Sequence, residues 1–526
     1  MFYNNPIYNF LLDRKSSSEI LFIPESLWGG DPDNGKKIVD GFMNFYGESI
    51  LFNKETWKKN KGSKHWNEEL FCFDWTKDVK ALGTNKARIF LRDNIKEWLK
   101  LKNRWDPFSW EIKVLSKRLC FLMSNMSFFY ETADENFQKK FTKSLNKQAI
   151  HLLNVYKKKK LGSEKIFTAK AIIISALSFR NLSSKLKVGI KLLIDILRSD
   201  IMEDGMHYLR SPSEHFIFLQ SLIDIKNYLG TSRVVIPKEL NENIYKMAST
   251  LKFFKISNGE LAIFNKFQYV ENHQVTEVLK RSNSKLKTPG SLKSSGFERI
   301  NENRLTLIMD CGIPSEEKTH ASSLSFELSH GTEKIVVNSG SPFVNNKELN
   351  EAMRSTAAHS TVSIDNINSS DIFFGKNTTT RLAKVWAEKL ELDNNFWINS
   401  AHTGYKSLFG LIHNRKIHID SKNLIVRGQD YFSRPTKSYN MTPKKLFLRF
   451  HIHPDVKLSA TTSKKKVVLK LKNNLGWEFI CSEPKIEIND GIYFGEKKIM
   501  KKNNHILISE RIVPNKKIKW LFRIIK

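Results

Sequence analysis

The hydrophobic period of this chain changes once, near residue 255, and nothing else in it narrows the fold so far. Before that point apolar residues recur at three- and four-residue intervals, the spacing of one helix face. Ile112–Tyr130 places Val114, Leu115, Leu119, Leu122 and Met123 in this way, and Phe137–Tyr156 places Phe141, Leu145, Ile150, Leu152 and Leu153. Helices are also predicted at about 165–180, 185–202, 213–229 and 237–253, joined by short polar linkers as in antiparallel helical hairpins. They show no clean short repeat, which favours a closed helical barrel over a solenoid. After residue 255 the period shortens to alternation. Examples are Arg304–Met309, Ser323–Leu328, Lys334–Asn338, Thr361–Ile364, Leu424–Val426, Leu446–Phe450, Val467–Leu471 and Glu478–Cys481. His330-Gly331-Thr332 and Asn489-Asp490-Gly491 read as hairpin turns, and Asp310 as a turn residue after an apolar strand. Helices followed by strands predict two domains, one all-α and one an antiparallel sandwich.

The helical domain is placed at 1–255, a linker with the first strands at 256–300, and the sandwich at 301–526. A chain of 526 residues suits two large domains, and 40% hydrophobic with 11% aromatic residues suffices for their cores. Tryptophans 28, 57, 66, 75, 98, 105 and 110 crowd the first part. Residues 20–56 look irregular, with a turn at Trp28-Gly29-Gly30-Asp31-Pro32, and 271–295 reads as a loop or linker.

The formal net charge is +32. Such a charge suits a polyanionic partner, whether acidic glycan, nucleic acid or membrane surface. It equally suits a lysine-biased solvated surface, because the lysines are spread along the chain and only Lys157 to Lys160 form a dense run. No zinc-finger spacing, RNA-binding signature or DNA-reading helix accompanies the charge, so nucleic acid is not the expected partner. Cys72, Cys120, Cys311 and Cys481 lie far apart, form no CxxC pair, and read as buried small hydrophobes. Met1–Leu12 lacks the features of a signal peptide, and no stretch is apolar for long enough to span a bilayer. As sequenced the chain reads as cytoplasmic. Its oligomeric state cannot be read from these residues.

Three ordered blocks carry a family resemblance. The first is Thr319-His320-Ala321-Ser322-Ser323-Leu324-Ser325-Phe326-Glu327-Leu328, the second Val336-Val337-Asn338-Ser339-Gly340, the third Arg354-Ser355-Thr356-Ala357-Ala358-His359-Ser360-Thr361-Val362. Together they resemble the heparinase II/III C-terminal domain, whose pattern is His-Ala-Asp before a Leu-Ser-Phe strand, an Asp- or Asn-containing turn, then Arg-x-Thr-x-Ala-His. His402-Thr403-Gly404-Tyr405 and His413-Asn414-Arg415 resemble further blocks, and Asp204-Gly205-Met206-His207-Tyr208 with Arg210-Ser211-Pro212 resembles the end of the family's helical domain.

The resemblance implies an N-terminal α/α toroid, an incomplete helical barrel, followed by an antiparallel β-sandwich. It also implies a polysaccharide lyase that cleaves an acidic, uronate-containing polysaccharide by β-elimination, and it makes a periplasmic location the rival to a cytoplasmic one. Elimination needs a group that neutralises the C6 carboxylate, a base for the C5 proton and an acid for the leaving oxygen. By resemblance His207 is the helical-domain neutraliser. Arg210, with its bidentate fork, Lys318 and Tyr405 are placed at the substrate, and Arg354 pairs either with a substrate acid or with a local carboxylate such as Glu351. The family tyrosine is expected near Leu261, Phe264 and Asn265, and the nearest tyrosine is Tyr269, with Tyr208 and Tyr405 as alternatives. His320 and His359 are placed with His207 and Tyr269 as catalytic. Zinc-binding relatives use two His and one Asp, matched here by His320, His359 and Asn338; a neutral amide is a poor zinc ligand. Ser322 replaces the acid of His-Ala-Asp, and Lys318 stands where lyases carry a histidine. These departures favour the alternative, a catalytically weakened relative that binds or helps assemble an acidic envelope polysaccharide.

Overall fold

The computed structural model describes residues 2–525 except 59–60, 159–160, 163, 315–319, 345, 373–380, 436–439, 462–464 and 497–498. The chain forms two compact units, Met1–Asp200 with Gln220–Ile244, and Ile201–Leu219 with Tyr245–Lys526. Residues 201–219 and 245–255 thus group with the strands, although the sequence places them in the helical domain.

The first unit is helical. Ile112–Asn125, Glu135–Val155, Lys165–Ser178 and Leu186–Asp200 occupy the periodic segments. Their starts follow local chemistry: the Asp134 side chain accepts from Phe137 N, and Thr84 does the same for Ala87 at the head of Asn85–Lys102. Helix Lys165–Ser178 is buried on nearly every side, and Gly189 of its neighbour lets the two approach closely. A Cβ at Gly189 would lie 2.7 Å from Ile173 Cγ1. The early tryptophans make a core: Trp57 stacks on Phe73 at 5.4 Å, Phe73 on Trp75 at 5.5 Å, and Trp98 meets Phe73 edge-on at 5.2 Å. Buried Lys170 pairs with buried Asp224 at 2.5 Å.

Residues 20–56 are more ordered than their sequence indicates. Asp31 accepts from Asp33 N and Asn34 N, Pro32 takes the first helical turn, and helix Pro32–Val39 leads into the hairpin Phe42–Phe45/Glu48–Leu51. The last two residues of the segment 28–32 read as a turn, Asp31 and Pro32, are therefore a helix start.

The second unit holds two antiparallel sheets. In spatial order one runs Lys457–Ala460, Lys466–Lys470, Gly476–Cys481, Ile518–Ile524, Ile425–Ser433, Ile412–Asp420, Asn395–His402, Val385–Leu392. The other runs Glu487–Glu496, Ile499–Arg511, Lys445–Ile452, Glu333–Val337, Phe326–His330, Leu305–Asp310, Phe297–Glu302, Ser291–Leu292, and Val362–Ile364 also pairs with Lys445–Ile452. Strict alternation of buried and half-exposed positions along Ile412–Asp420 gives one face to the core. Phe326 of one sheet stacks on Trp520 of the other at 5.6 Å, and Phe450 packs on Trp520 at 4.9 Å, so the two inner faces share one core.

Two readings of the later sequence are corrected. Asn489-Asp490-Gly491 lies inside strand Glu487–Glu496, paired with Ile499–Arg511. The glycine serves space, since its Cβ would sit 2.6 Å from Asn503 Oδ1. Within 271–295 a helix, Asn272–Ser282, forms because Val275 and Val278 are buried from an otherwise polar run. His330-Gly331-Thr332 does turn the chain between Phe326–His330 and Glu333–Val337. All four cysteines are buried and free, and among the described residues no helix is long and apolar enough to cross a membrane.

Candidate functional site

The residues singled out from the sequence come from six segments of the second unit. The first follows helix Leu186–Asp200 as a tight loop. Met202 N donates to Met206 O at 2.8 Å, Gly205 N to Met202 O at 2.8 Å, and Ile201 bridges His207. Gly205 has φ +86, and a Cβ there would meet Lys246 C at 2.9 Å, so the turn needs glycine twice over. The loop directs His207 inward. Its ring is buried between Tyr208 (4.8 Å) and Phe218 (5.0 Å), and its Nδ1 accepts from Leu209 N at 3.4 Å. His207 N donates to His215 Nδ1, so the proton of His215 is on Nε2, which donates to Met247 O at 2.8 Å. Burial pushes His215 down to about 4 and keeps it neutral.

Arg210, read from the sequence as a substrate ligand, turns inward. It is 3% exposed, pairs with Asp310, donates from Nε to Ser295 O at 2.7 Å and lies 4.7 Å over the Phe297 ring. Asp310 is correspondingly no turn residue. It ends strand Leu305–Asp310 as a buried carboxylate that also accepts from Gly312 N at 3.2 Å and Ser322 Oγ at 2.9 Å. A lone carboxylate at the end of the apolar run Leu305–Met309 was the signal for such a partner, since a buried charge is stable only when paired.

The second segment is 263–269. Ile263 N donates to Glu327 Oε2 at 3.1 Å and Asn265 Nδ2 to Arg210 O at 2.8 Å, while Ser211 Oγ donates to Lys266 O at 2.8 Å. These bonds lash the 207–213 loop to the 263–268 segment. Asn265, at φ +54 and buried, is the residue nearest the expected tyrosine that faces this junction. Tyr269 points elsewhere. Its hydroxyl donates to Glu271 Oε2 at 3.1 Å, and burial together with Glu271 raises its pKa, opposite to what a base requires.

The third and fourth segments bring the two histidines together. His320 Nδ1 and His359 Nε2 are 3.3 Å apart, both rings buried. Burial pushes His359 down to about 3, and burial with His359, Arg354 and Lys266 pushes His320 well below its usual range. Lys266 and Arg354 are both half-buried. Lys266 pairs with Glu214 at 3.5 Å, and Arg354 donates to Ile372 O at 2.6 Å. Asn338 donates from Nδ2 to Ile263 O at 2.8 Å and from its backbone to Glu327 Oε1 at 3.0 Å. Glu327, unnoticed in the sequence, thereby ties the 263 segment to the strands, and burial raises it to about 7. Lys318 lies outside the described residues.

Tyr405, another residue read as a substrate ligand, also lies inside the second unit. It is fully buried, and its hydroxyl donates to Val362 O at 3.0 Å. Its neighbours form a sealed relay. Gly404 N donates to His402 Nδ1, His402 Nε2–H to His413 Nδ1 at 3.1 Å, and His413 Nε2–H to Asp430 at 2.7 Å. Arg415 Nε and Trp520 Nε1 also donate to Asp430, each at 2.8 Å.

The residues do not fit zinc. Two neutral imidazoles and one neutral amide leave a buried dication uncompensated. Among the described residues, the cluster of His, Cys, Asp and Glu close enough to share an ion is a different one, His453, Asp455 and Glu496. What the arrangement offers is positive potential. The charges of half-buried Lys266 and Arg354 both act on the neutral His320, although Lys266 is paired with Glu214 and Arg354 bonds Ile372 O.

Comparison with known proteins agrees with the fold. The Heparinase II/III N-terminus family model matches residues 55–286, and the Heparinase II/III-like, C-terminal model matches 284–521. FtsZ-localized protein C of Caulobacter vibrioides is 24% identical over 511 residues, covering 93% of this chain and 88% of that protein. The crystal structure of heparinase III superposes with TM-score 0.75 at 15% identity, over 98% of this chain and 89% of that one. Heparan sulfate lyase HepC from Pedobacter heparinus gives 0.62 at 14%, over 98% and 87%. The architecture is thus an α/α toroid followed by an antiparallel β-sandwich.

Proposed function

This chain belongs to the heparinase II/III family, and we propose that it binds an acidic polysaccharide through the second unit without cleaving it. One observation carries the reading: the charges of half-buried Lys266 and Arg354 both act on His320, while the hydroxyls of Tyr269 and Tyr405 and the guanidinium of Arg210 are committed inside the protein. Cations at the surface draw a uronate or sulfate. A uronate C5 proton needs a base, and the two tyrosines hold theirs. The net charge of +32 supports a polyanionic ligand. The Caulobacter relative's name records where that protein is found and no reaction.

The test uses heparan sulfate, hyaluronan, alginate and bacterial acidic exopolysaccharides. Near-ultraviolet absorbance, which reports an unsaturated uronate, is expected to stay flat, while calorimetry detects binding to at least one glycan. Lys266→Ala and Arg354→Ala are each expected to weaken that binding roughly tenfold or more, the value of one charge-assisted contact. A sustained rise in absorbance overturns the reading. One feature favours a lyase instead: Tyr208 is half-buried with its ring 4.8 Å from that of His207. If absorbance rises, Tyr208→Phe is the variant expected to abolish it.

A further inference from the structure

We infer that the His320–His359 centre is metal-free, with the Asn338 amide bonded instead to Ile263 O, and that a carboxylate at position 338 is what separates it from a zinc site. The backbone fixes the position. Ser360 Oγ donates to Val337 O at 2.9 Å and Ser339 N to Ala358 O at 3.2 Å, so Asn338 lies across from His359 between two cross-ties. The two imidazoles share a hydrogen bond, which a metal between them would replace. Their nitrogens are 3.3 Å apart, and two ligands sharing a zinc with bonds of about 2.05 Å are separated by roughly 3.3 Å.

The third donor decides the outcome. Asn338 Nδ2 gives its proton to Ile263 O at 2.8 Å, while Asn338 Oδ1 and His359 Nδ1 are buried without a hydrogen-bond partner. An aspartate in the same place sets a negative oxygen against the Ile263 carbonyl, which is repulsive unless a cation neutralises it. Amide and carboxylate therefore stabilise the segment in exclusive ways, the amide by donating to Ile263 and the carboxylate by holding a metal. Nearby anions do not replace it. Both Glu327 oxygens accept backbone N–H groups, from Ile263 and Asn338. The more distant cluster is internally paired: His453 with Glu496 at 3.2 Å, Lys501 with Glu496, and Lys472 with Asp455 at 3.6 Å.

The experiment compares the full chain with Asn338→Asp after equilibration with zinc and gel filtration. Mass spectrometry then counts the metal, and cobalt substitution supplies a visible spectrum. The native chain is expected to retain below ~0.1 zinc and to melt identically with and without EDTA, whereas Asn338→Asp retains about 1 and loses thermal stability in EDTA. Adding His359→Ala to Asn338→Asp removes the metal again. A native chain with about one tightly held zinc, lost in His359→Ala, overturns the inference, as does a folded Asn338→Asp that stays empty. If Asn338→Asp does not fold even with zinc, Asn338→Cys supplies a smaller anionic ligand and faces the same two outcomes. Neither result depends on glycan binding.

Discussion

Truncating Arg210 separates a structural arginine from a ligand-binding one. Its side chain is 3% exposed and that of Asp310 1% exposed. In Arg210→Ala the Asp310 carboxylate keeps Gly312 N and Ser322 Oγ but loses its counter-charge. Removing one partner of a buried pair costs ~3–5 kcal/mol, mostly because the remaining charge stays buried. The fit is tight as well: a Cβ at Gly312 would sit 2.2 Å from Arg210 Nη2, so truncation also opens a gap. Replacing both partners, as Arg210→Met with Asp310→Asn, removes charge and counter-charge together. The double variant is expected to be more stable than the sum of the single losses by at least ~2 kcal/mol. Two compact units need not unfold together, so denaturant unfolding is followed by hydrogen exchange on peptides spanning Leu305–Asp310. Glycan affinity of the folded double variant is expected to stay within about twofold of native, less than one lost charged contact would change it. A loss of tenfold or more would show that Arg210 meets the ligand, and a cost under ~1 kcal/mol for Arg210→Ala would sink the buried-pair argument.

Other expectations follow from the same network. Burial raises Glu327 from 4.5 to about 7, so between these values the folded state keeps a proton that the unfolded chain releases. Stability should therefore fall as pH rises through that window, by at most ~3 kcal/mol, and Glu327→Gln should flatten this dependence in unfolding midpoints. Burial opposes ionisation of Asp430, yet Arg415 and His413 hold its carboxyl well below the usual range. Asp430→Asn should cost ~3–5 kcal/mol by denaturation, since buried Arg415 then lacks a counter-charge. Tyr405→Phe should cost about 1 kcal/mol for its lost hydrogen bond and leave glycan binding unchanged; a binding defect in a folded variant would return Tyr405 to the site. Tyr269→Phe should likewise leave binding and the absorbance trace unaltered.

Architecture was legible because period reports burial. Ile112–Asn125 and Glu135–Val155 needed only their apolar stripe, and Leu305–Asp310 only its apolar run. What failed was punctuation. Asn489-Asp490-Gly491 has turn chemistry, but Gly491 is there to clear Asn503, a residue distant in sequence. Helix Pro32–Val39 was hidden because Asp31-Pro32 signals a turn and a helix start alike. The site was legible in His320 and His359, which do meet, and illegible wherever a charge turns inward. Arg210 reads as a ligand-binding cation until Asp310 is seen beside it. The pairing joins residues 100 positions apart, and no local pattern encodes that.

The tie network also explains how family likeness coexists with the changed residues at positions 322 and 338. In the block Arg354 to Val362, Thr356 Oγ1 donates to Ala321 O at 2.8 Å and Thr361 Oγ1 to Ser323 O at 2.9 Å, while Ala321 N donates to Arg354 O at 2.9 Å. From the next block Arg415 Nη1 donates to Leu324 O at 2.7 Å and to Ser360 O at 2.8 Å. Every one of these bonds joins the loop carrying His320 to the loop carrying His359, or braces one of them. None uses an imidazole, so the loops stay in place whatever the histidines face. Asn265 and Asn338, which do face the junction, contribute amide hydrogen bonds to it and no charge. A scaffold whose geometry is set by hydroxyl and guanidinium ties to backbone can exchange the few groups at its centre without refolding. That is why the blocks predicted the shape of the second unit well while the substitutions between them carry the information about activity.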